Sequence, residues 1–401
     1  MQPLCITCKG KGLCGKPCPI IQRLKTYSAT ISKISNDFSG TSPSVFVGRY
    51  GYPNIAIGIL SPPEISSEAW KLDAPELWYQ NNYTIENVIE ARSQLINSKT
   101  RINIKTKQDK TLNIAQEISM TKQADVEFLL KKKPMPRISL DIRMPPIGAP
   151  AILEKVELTG NPTISRKVDA VVNDELKANE AVNILYEKGT DVNQITKILS
   201  VGLLGLNKKL VPTRWAITAT DDMISKKLIS EIKDFPIIND FLLFSNEYLG
   251  NHFEILLIPR EWNFEVLEAE TPKSTWNPSK GMYIMVDWER NWGRKYYADN
   301  VTGAYYSDRL GVCEYLTKIR RQASVLIVRE VKPEYMIPCG VWVNREAVRG
   351  AFAKTPEKFS DLETALKTIF SRVNIPKEAI LNNSHLLKEI KMQKRLIQFI
   401  R

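Results

Sequence analysis

The chain has 401 residues, enough for two or three domains and a large core. Its 43% apolar and 25% charged residues are ordinary for a folded protein, whereas a formal charge of +12 favours a polyanionic partner, most simply nucleic acid. A lysine-rich, AT-rich prokaryotic proteome would give the same charge, so charge alone does not decide. No run approaches the ~18 apolar residues of a membrane helix, and cysteines and lysines stand where a secretory leader needs an apolar core. The chain is therefore expected in the cytosol with the nucleoid, without a membrane partner.

Four of the six cysteines open the chain as Cys5-x2-Cys8-x5-Cys14-x3-Cys18. Four thiolates at this spacing suit a tetrahedral structural Zn2+ site, with Gly10, Gly12 and Gly15 allowing tight bends around the ion. Lys9, Lys11 and Lys16 add positive charge that favours thiolates and suits phosphate. An iron–sulfur cluster competes because of Cys-x3-Cys-Pro, but the x5 gap breaks the ferredoxin pattern. Unliganded thiols are the third reading. Cys313 and Cys339 lie in apolar surroundings and read as core fillers.

Downstream, the pattern predicts a helix over Ile20–Ile34, a loop at Ser35–Ser44, and strands at Ser44–Tyr50 and Asn54–Leu60. Helices are expected at Ile85–Asn97 and Ile118–Lys131. Lys131, Lys132, Lys133 and Arg137 read as a solvated surface or a phosphate contact. Five prolines between Pro134 and Pro150 suggest an internal boundary. Helices follow at Asp174–Lys188 and Val192–Gly202, then a strand at Arg214–Thr220 and a helix starting near Asp221. Phe253–Ile258, Gly281–Val286 and Ser324–Val331 read as strands, and Asp361–Val373 as a helix opened by a Ser360-x-x-Glu363 capping box.

Several constellations could carry chemistry. Asp221-Asp222, at a strand-to-helix junction, could hold a divalent metal or merely cap the helix. Arg214-Trp215 could clamp a phosphate and stack a base, or be a salt-bridged strand end. The segment Trp288–Tyr306, with Arg290, Arg294 and Tyr297, interleaves aromatics and cations as single-strand binding requires, although a twisted hairpin would also produce it. Arg320, Arg321, Arg345 and Arg349 add cations. With His252 and His385 as the sole histidines, a histidine triad is not expected, and neither a P-loop nor a dinucleotide fingerprint is present.

The chain ends in Gln393-Lys-Arg-Leu396-Ile-Gln-Phe399-Ile400-Arg401. In a tight turn of three residues, Gln393, Leu396 and Phe399 share a face, with Ile400 at its edge. This fits the peptide by which replication and repair proteins hook onto a ring-shaped sliding clamp. A final amphipathic core helix through Leu386, Leu387, Ile390, Leu396, Ile397 and Ile400 is the alternative. Ile400 stands where the strongest clamp peptides have a second aromatic, so moderate affinity is expected.

Taken together, the cysteine spacing, Leu210-Val-Pro-Thr-Arg-Trp-Ala-Ile-Thr-Ala-Thr-Asp-Asp222, Phe46-Val-Gly-Arg-Tyr-Gly-Tyr-Pro53, Asp141-Ile-Arg-Met-Pro-Pro146 and the terminal peptide resemble the archaeal Nre family of DNA repair proteins. The resemblance implies a DNA-damage role, a zinc-ribbon-like N-terminus at Cys5, Cys8, Cys14 and Cys18, and PCNA binding through Gln393, Leu396, Phe399 and Ile400. It assigns no catalytic residues.

The expected architecture is mixed, α/β or α+β. A four-cysteine zinc-binding module spans 1–25, a large body 26–375 carries a boundary near 134–150, and a tail 376–401 ends in the clamp peptide. The expected function is a repair factor recruited to PCNA that binds DNA, single-stranded or damaged, alongside other repair proteins. The alternatives are an enzyme acting on nucleic acid or a nucleotide through Asp221, Asp222 and Arg214, and a non-catalytic scaffold.

Overall fold

The computed structural model describes residues 8, 10–13, 15, 18–136 and 145–392, and the chain divides into two compact units. The first runs from Cys8 to Ile224 and includes Ile337–Cys339; the second comprises Ser225–Met336 and the chain from Gly340 on. Both are mixed α/β, as expected.

In the first unit, β1 (Asp37–Ser42), β2 (Ser44–Val47), β3 (Asn54–Ser61), β4 (Ile96–Asn103), β5 (Ala124–Leu130) and β6 (Ala149–Leu158) form one sheet. Its order is β1-β5-β6-β4-β3-β2, with β4 and β6 parallel and the other pairs antiparallel. Alternation puts Ile55, Ile57 and Ile59 of β3 on one face, and all three are fully buried. They share a core with Val126, Phe128 and Leu130 of β5 and with Leu112, Ala115 and Ile118 of a helix at Lys110–Met120. Each such aliphatic side chain contributes roughly 1.5–3 kcal/mol on burial. Gly58 is required where β3 meets β4: a Cβ there would lie 1.9 Å from Asn97 Oδ1.

The helices of this unit are α1 (Pro19–Ser32), α2 (Pro75–Gln80), α3 (Ile85–Ser93), α4 (Lys110–Met120), α5 (Arg166–Val172), α6 (Ala178–Glu187), α7 (Val192–Ser200) and the first part of α8 (Thr213–Ile232). A 310 turn covers Ala69–Asp73.

Several expectations are corrected here. The loop at Ser35–Ser44 contains β1, whose polar residues find ladder partners on β5. The helix placed at Ile118–Lys131 is instead the end of α4 followed by β5. The α4 N-terminus is capped by Asp109, which accepts from Leu112 N at 2.9 Å, and Ala124–Leu130 alternates strictly between buried and exposed. The strand at Arg214–Thr220 is the opening of α8, in which Pro212 C=O accepts from Trp215 N and Ala216 N. β-branched and aromatic residues suggested a strand, but packing overrides such propensity. The proline-rich 134–150 segment connects β5 to β6 within one sheet, and the division between units falls at Ile224 and Ser225, inside α8.

The second unit is built on a sheet of β7 (Phe241–Tyr248), β8 (Asn251–Ile258), β9 (Asn263–Glu270), β10 (Tyr283–Glu289), β11 (Ser324–Val331) and β12 (Glu357–Phe359), ordered β10-β9-β11-β8-β7-β12. β11 is central, parallel to β9 and antiparallel to β8, and buried at every position. Such a strand is covered on both faces. On one face Leu326 and Val328 join Ala365, Leu366 and Ile369 of α11 (Leu362–Arg372), Ile380 of α12 (Lys377–Asn383) and Leu386 and Leu387 of α13 (His385–Met392). On the other, Phe244 of β7 meets Tyr315 of α9 (Gly303–Ile319) and Phe352 of α10 (Trp342–Phe352) edge-on, with centroids 5.2 and 4.8 Å away. The α11 cap is Asp361 and not Ser360: Asp361 accepts from Thr364 N at 2.8 Å. Cys313 and Cys339 are buried, and burial pushes the Cys339 thiol up to about 12, as inert core residues require.

A candidate nucleic-acid interface

The aromatic-basic segment forms the link between β10 and α9 in the second unit. Of the twisted hairpin it keeps one antiparallel bridge, Arg290 to Gly293, with no second strand following before α9 among the described residues. β10 ends at Glu289, and a tight turn follows in which Gly293 N donates to Arg290 C=O at 2.8 Å. Gly293, at φ 83°, supplies the left-handed backbone that this turn needs.

Asp287 fastens the link at both ends. Its Oδ1 accepts from an Arg294 terminal nitrogen at 2.9 Å, and its Oδ2 accepts from Asn300 N at 3.0 Å and Val301 N at 2.7 Å. Arg294 also donates to Trp288 C=O at 2.7 Å, and its guanidinium lies 5.0 Å from the Tyr305 ring centroid. Beneath, Arg309 and Glu289 pair at 2.7 Å with both side chains 2% exposed, and Trp262 Nε1 donates to the other Glu289 oxygen at 3.3 Å. Tyr305 packs against this pair, and burial holds its phenol well above the usual range, so it stays neutral.

Three side chains stand out from this base. The Arg290 guanidinium lies 5.3 Å from the Trp288 ring and 5.2 Å from the Trp292 ring, and Trp292 is 73% exposed. Tyr296 is 83% exposed, while Tyr297 stacks on Tyr306 with centroids 5.3 Å apart. Arg290 also pairs with Glu389 of α13 at 3.1 Å, and Trp288 stacks on His385 at 4.8 Å. An exposed indole beside a cation, with an exposed phenol on the same braced link, can stack bases and meet phosphate.

Not every residue selected from the sequence joins this group. Arg294 is spent on holding the link together. Arg320 ends α9 in a left-handed conformation, and Arg321 donates to its carbonyl; both are exposed. They sit at the far end of a 17-residue helix from the link, a separation of about 25 Å. Arg214 and Trp215 belong to the first unit, on the first turn of α8, where Trp215 is 47% exposed and tilted against Tyr52 at 5.6 Å. Asp221 is fully buried along α8, so neither carboxylate stands at a strand-to-helix junction. The premise for both the metal and the capping readings of Asp221-Asp222 is lost. Sequence reasoning missed the Arg309–Glu289 pair altogether; its signal is Asp308-Arg309 set between Tyr305-Tyr306 and the apolar Leu310–Cys313 run of α9.

Of the four N-terminal cysteines, Cys5 and Cys14 lie outside the described residues, as do Gln393, Leu396, Phe399 and Ile400. Among the described residues no cluster of three or more His, Cys, Asp or Glu side chains could hold a metal. Cys8 Sγ accepts from Leu13 N at 3.3 Å, and this bond, with further backbone N–H groups of Lys11, Gly12 and Gly10, holds its thiol below the usual range. Gly10 and Gly12, at φ 85° and 76°, allow the backbone to fold around that sulfur.

The description "Archaeal Nre, N-terminal" matches residues 13–277, and "Archaeal Nre, C-terminal" matches residues 289–399. DNA repair protein NreB of Archaeoglobus fulgidus is 38% identical over 388 residues, 96% of this chain and 97% of that protein. DNA repair protein NreA of the same organism is 38% identical over 92% of this chain and 93% of its own length. DNA repair protein NreA of Haloferax volcanii is 36% identical over 83% of each. No solved structure matches the chain.

Proposed function

The chain belongs to the archaeal Nre family, and on that premise we propose that it is a DNA repair factor that binds single-stranded or distorted DNA through the Trp288–Tyr306 link and is tethered to the PCNA clamp by its last nine residues. The repair role rests on relatives that carry that name over nearly their whole length. The observation that carries DNA binding is the Trp288–Arg290–Trp292 group, with Trp292 and, further along the same link, Tyr296 exposed on a segment that Asp287 holds in place. The +12 charge of the chain favours the same partner.

The test is fluorescence anisotropy with a labelled single strand across a salt series. The expected result is marked salt sensitivity, and a loss of about 10-fold or more for Trp292→Ala/Tyr296→Ala, since stacking contributes ~1–3 kcal/mol per base. Binding that ignores salt, or that the double variant leaves unchanged, would overturn the assignment.

Two further parts of the reading rest on residues outside the described set. Gln393, Leu396, Phe399 and Ile400 would dock into the clamp groove, immediately beyond the end of α13 at Met392. Cys5, Cys8, Cys14 and Cys18 would hold one structural Zn2+, a reading supported by the backbone N–H donors that favour the Cys8 thiolate. Elemental analysis of anaerobically purified protein should find about one zinc per chain and little iron. Stoichiometric iron with visible absorption would replace zinc with a cluster.

A further inference from the structure

The first unit contains a cavity of about 410 Å³ that the sequence did not reveal. Its walls come from the 310 turn (Trp70, Asp73), α2 (Glu76), the turn after α4 (Lys122), Pro43 and the start of α7 (Asp191, Lys197). That volume falls in the range of small-molecule sites, ~300–1,000 Å³.

Three features of the lining are unbalanced. Lys122 Nζ sits 3.4 Å from the Trp70 ring centroid, and no carboxylate among the described residues pairs with it. Lys197 Nζ donates to Pro43 C=O at 3.0 Å and likewise has no carboxylate partner among the described residues. Asp191 uses Oδ1 to cap α7, accepting from Asn193 N at 2.9 Å and Gln194 N at 3.0 Å, yet its Oδ2 is buried with no hydrogen-bond partner. A buried acceptor of this kind is uncommon. Two more carboxylates line the cavity, Asp73, which pairs with Arg92 at 2.8 Å, and Glu76 on α2, so the lysines face acidic as well as aromatic walls.

The ammonium groups of Lys122, exposed at the rim, and of Lys197 suit an anion, and the Trp70 indole suits a flat ring. A lone phosphate would satisfy only the first of these and would leave most of the cavity empty. We propose that this cavity binds a nucleotide, with its phosphate at Lys122 and Lys197 and its base against Trp70. The same chemistry is offered by a free nucleoside monophosphate and by the 5′-phosphorylated terminal nucleotide of a strand. The site is separate from the Trp288–Tyr306 link, and its argument does not depend on DNA binding there.

The experiment is isothermal titration of the full chain with each of the four deoxynucleoside 5′-monophosphates, and with one short oligonucleotide carrying either a 5′-phosphate or a 5′-hydroxyl. Saturable one-to-one binding is expected for at least one monophosphate or for the phosphorylated strand end. Lys122→Gln, a change at an exposed side chain, and Trp70→Leu should each weaken it about 10-fold or more. Trp292→Ala/Tyr296→Ala should leave monophosphate binding unchanged, which separates this site from the link. A strand that binds only with its 5′-phosphate, in competition with monophosphate, identifies a strand-end site; monophosphate binding alone identifies a free-nucleotide site. Absence of saturable binding to every probe, or binding that Lys122→Gln and Trp70→Leu leave intact, overturns the proposal.

Discussion

At the scale of single residues, the Arg309–Glu289 pair decides how firmly the second unit can hold its exposed aromatics. Both groups are withdrawn from water, and their desolvation is offset by a 2.7 Å contact, by Trp262 Nε1, by Arg309 Nε donating to Ser225 Oγ at 3.1 Å, and by two tyrosine rings. Removing one partner leaves the other charge buried and unpaired, a loss of roughly 3–5 kcal/mol. Arg309→Met should therefore lower stability by about that much in denaturant unfolding, and adding Glu289→Leu should recover a large part of it. A single variant as stable as the parent would show that the charge finds relief elsewhere. The same neighbourhood shows what residue types could not disclose. Arg294 and Arg290 look alike in sequence, yet Arg294 turns inward to Asp287 while Arg290 lies between two indoles. Which way a guanidinium points is set by the carboxylate that folding brings to it, and Asp287 lies seven residues away on a different element.

At the scale of elements, α13 is docked by polar as well as apolar contacts, and one of them titrates. Glu265 of β9 accepts from Leu386 N at 2.6 Å near the start of α13, while its other oxygen is buried without a partner. Burial raises its carboxyl from 4.5 to about 7, against the pull of the Leu386, Ser384 and His385 hydrogen bonds and of Lys388. Because the folded value lies above the unfolded one, the folded chain keeps a proton that the unfolded chain has already released between these two pH values. Stability from this group is fully present below about 4.5, declines as pH rises, and is lost above about 7. The span is worth on the order of 3 kcal/mol. Glu270, also raised to about 7 by burial first and then by Glu268, adds to the slope in the same direction. Glu265→Gln should flatten part of the decline in unfolding free energy between pH 5 and pH 7 and raise stability at pH 8; an unaltered profile would show that Glu265 is not the titrating group. Legibility also varied by element. β5 was hidden by a helix-like run of apolar residues, although its strict alternation was readable. β4 escaped because its polar Asn97 and Ser98 are buried by sheet neighbours on both sides and not by their own hydrophobicity. By contrast α1, β3, β11 and α11 were readable, since each carries its own period or a continuous apolar run.

At the scale of the whole molecule, the two-unit division was illegible because its boundary lies inside one helix, where no proline, glycine or polar linker marks it. The nucleotide-sized cavity was equally hidden: Trp70, Lys122, Asp191 and Lys197 are far apart in the chain and meet only through the fold. The proposed clamp tether is the opposite case, read from a contiguous motif without recourse to the fold. The apolar face of α13 is already committed, with Leu386 and Leu387 buried in the core of the second unit and Glu389 tied to Arg290. A clamp peptide beginning at Gln393 can therefore act without disturbing that core. Burying one aromatic or aliphatic side chain in a groove contributes roughly 1.5–3 kcal/mol, so Phe399→Ala should weaken PCNA binding by on the order of 10- to 100-fold. Deletion of Gln393–Arg401 should abolish clamp binding in a pull-down or titration while leaving Tm, zinc content and mononucleotide binding close to the parent values. Deletion extended back to His385 should lower Tm sharply, because it removes Leu386 and Leu387 from the core and the partner of Glu265. If the short deletion alone lowers Tm sharply and clamp binding is absent in the parent, the last nine residues serve the fold, and the tether has no basis.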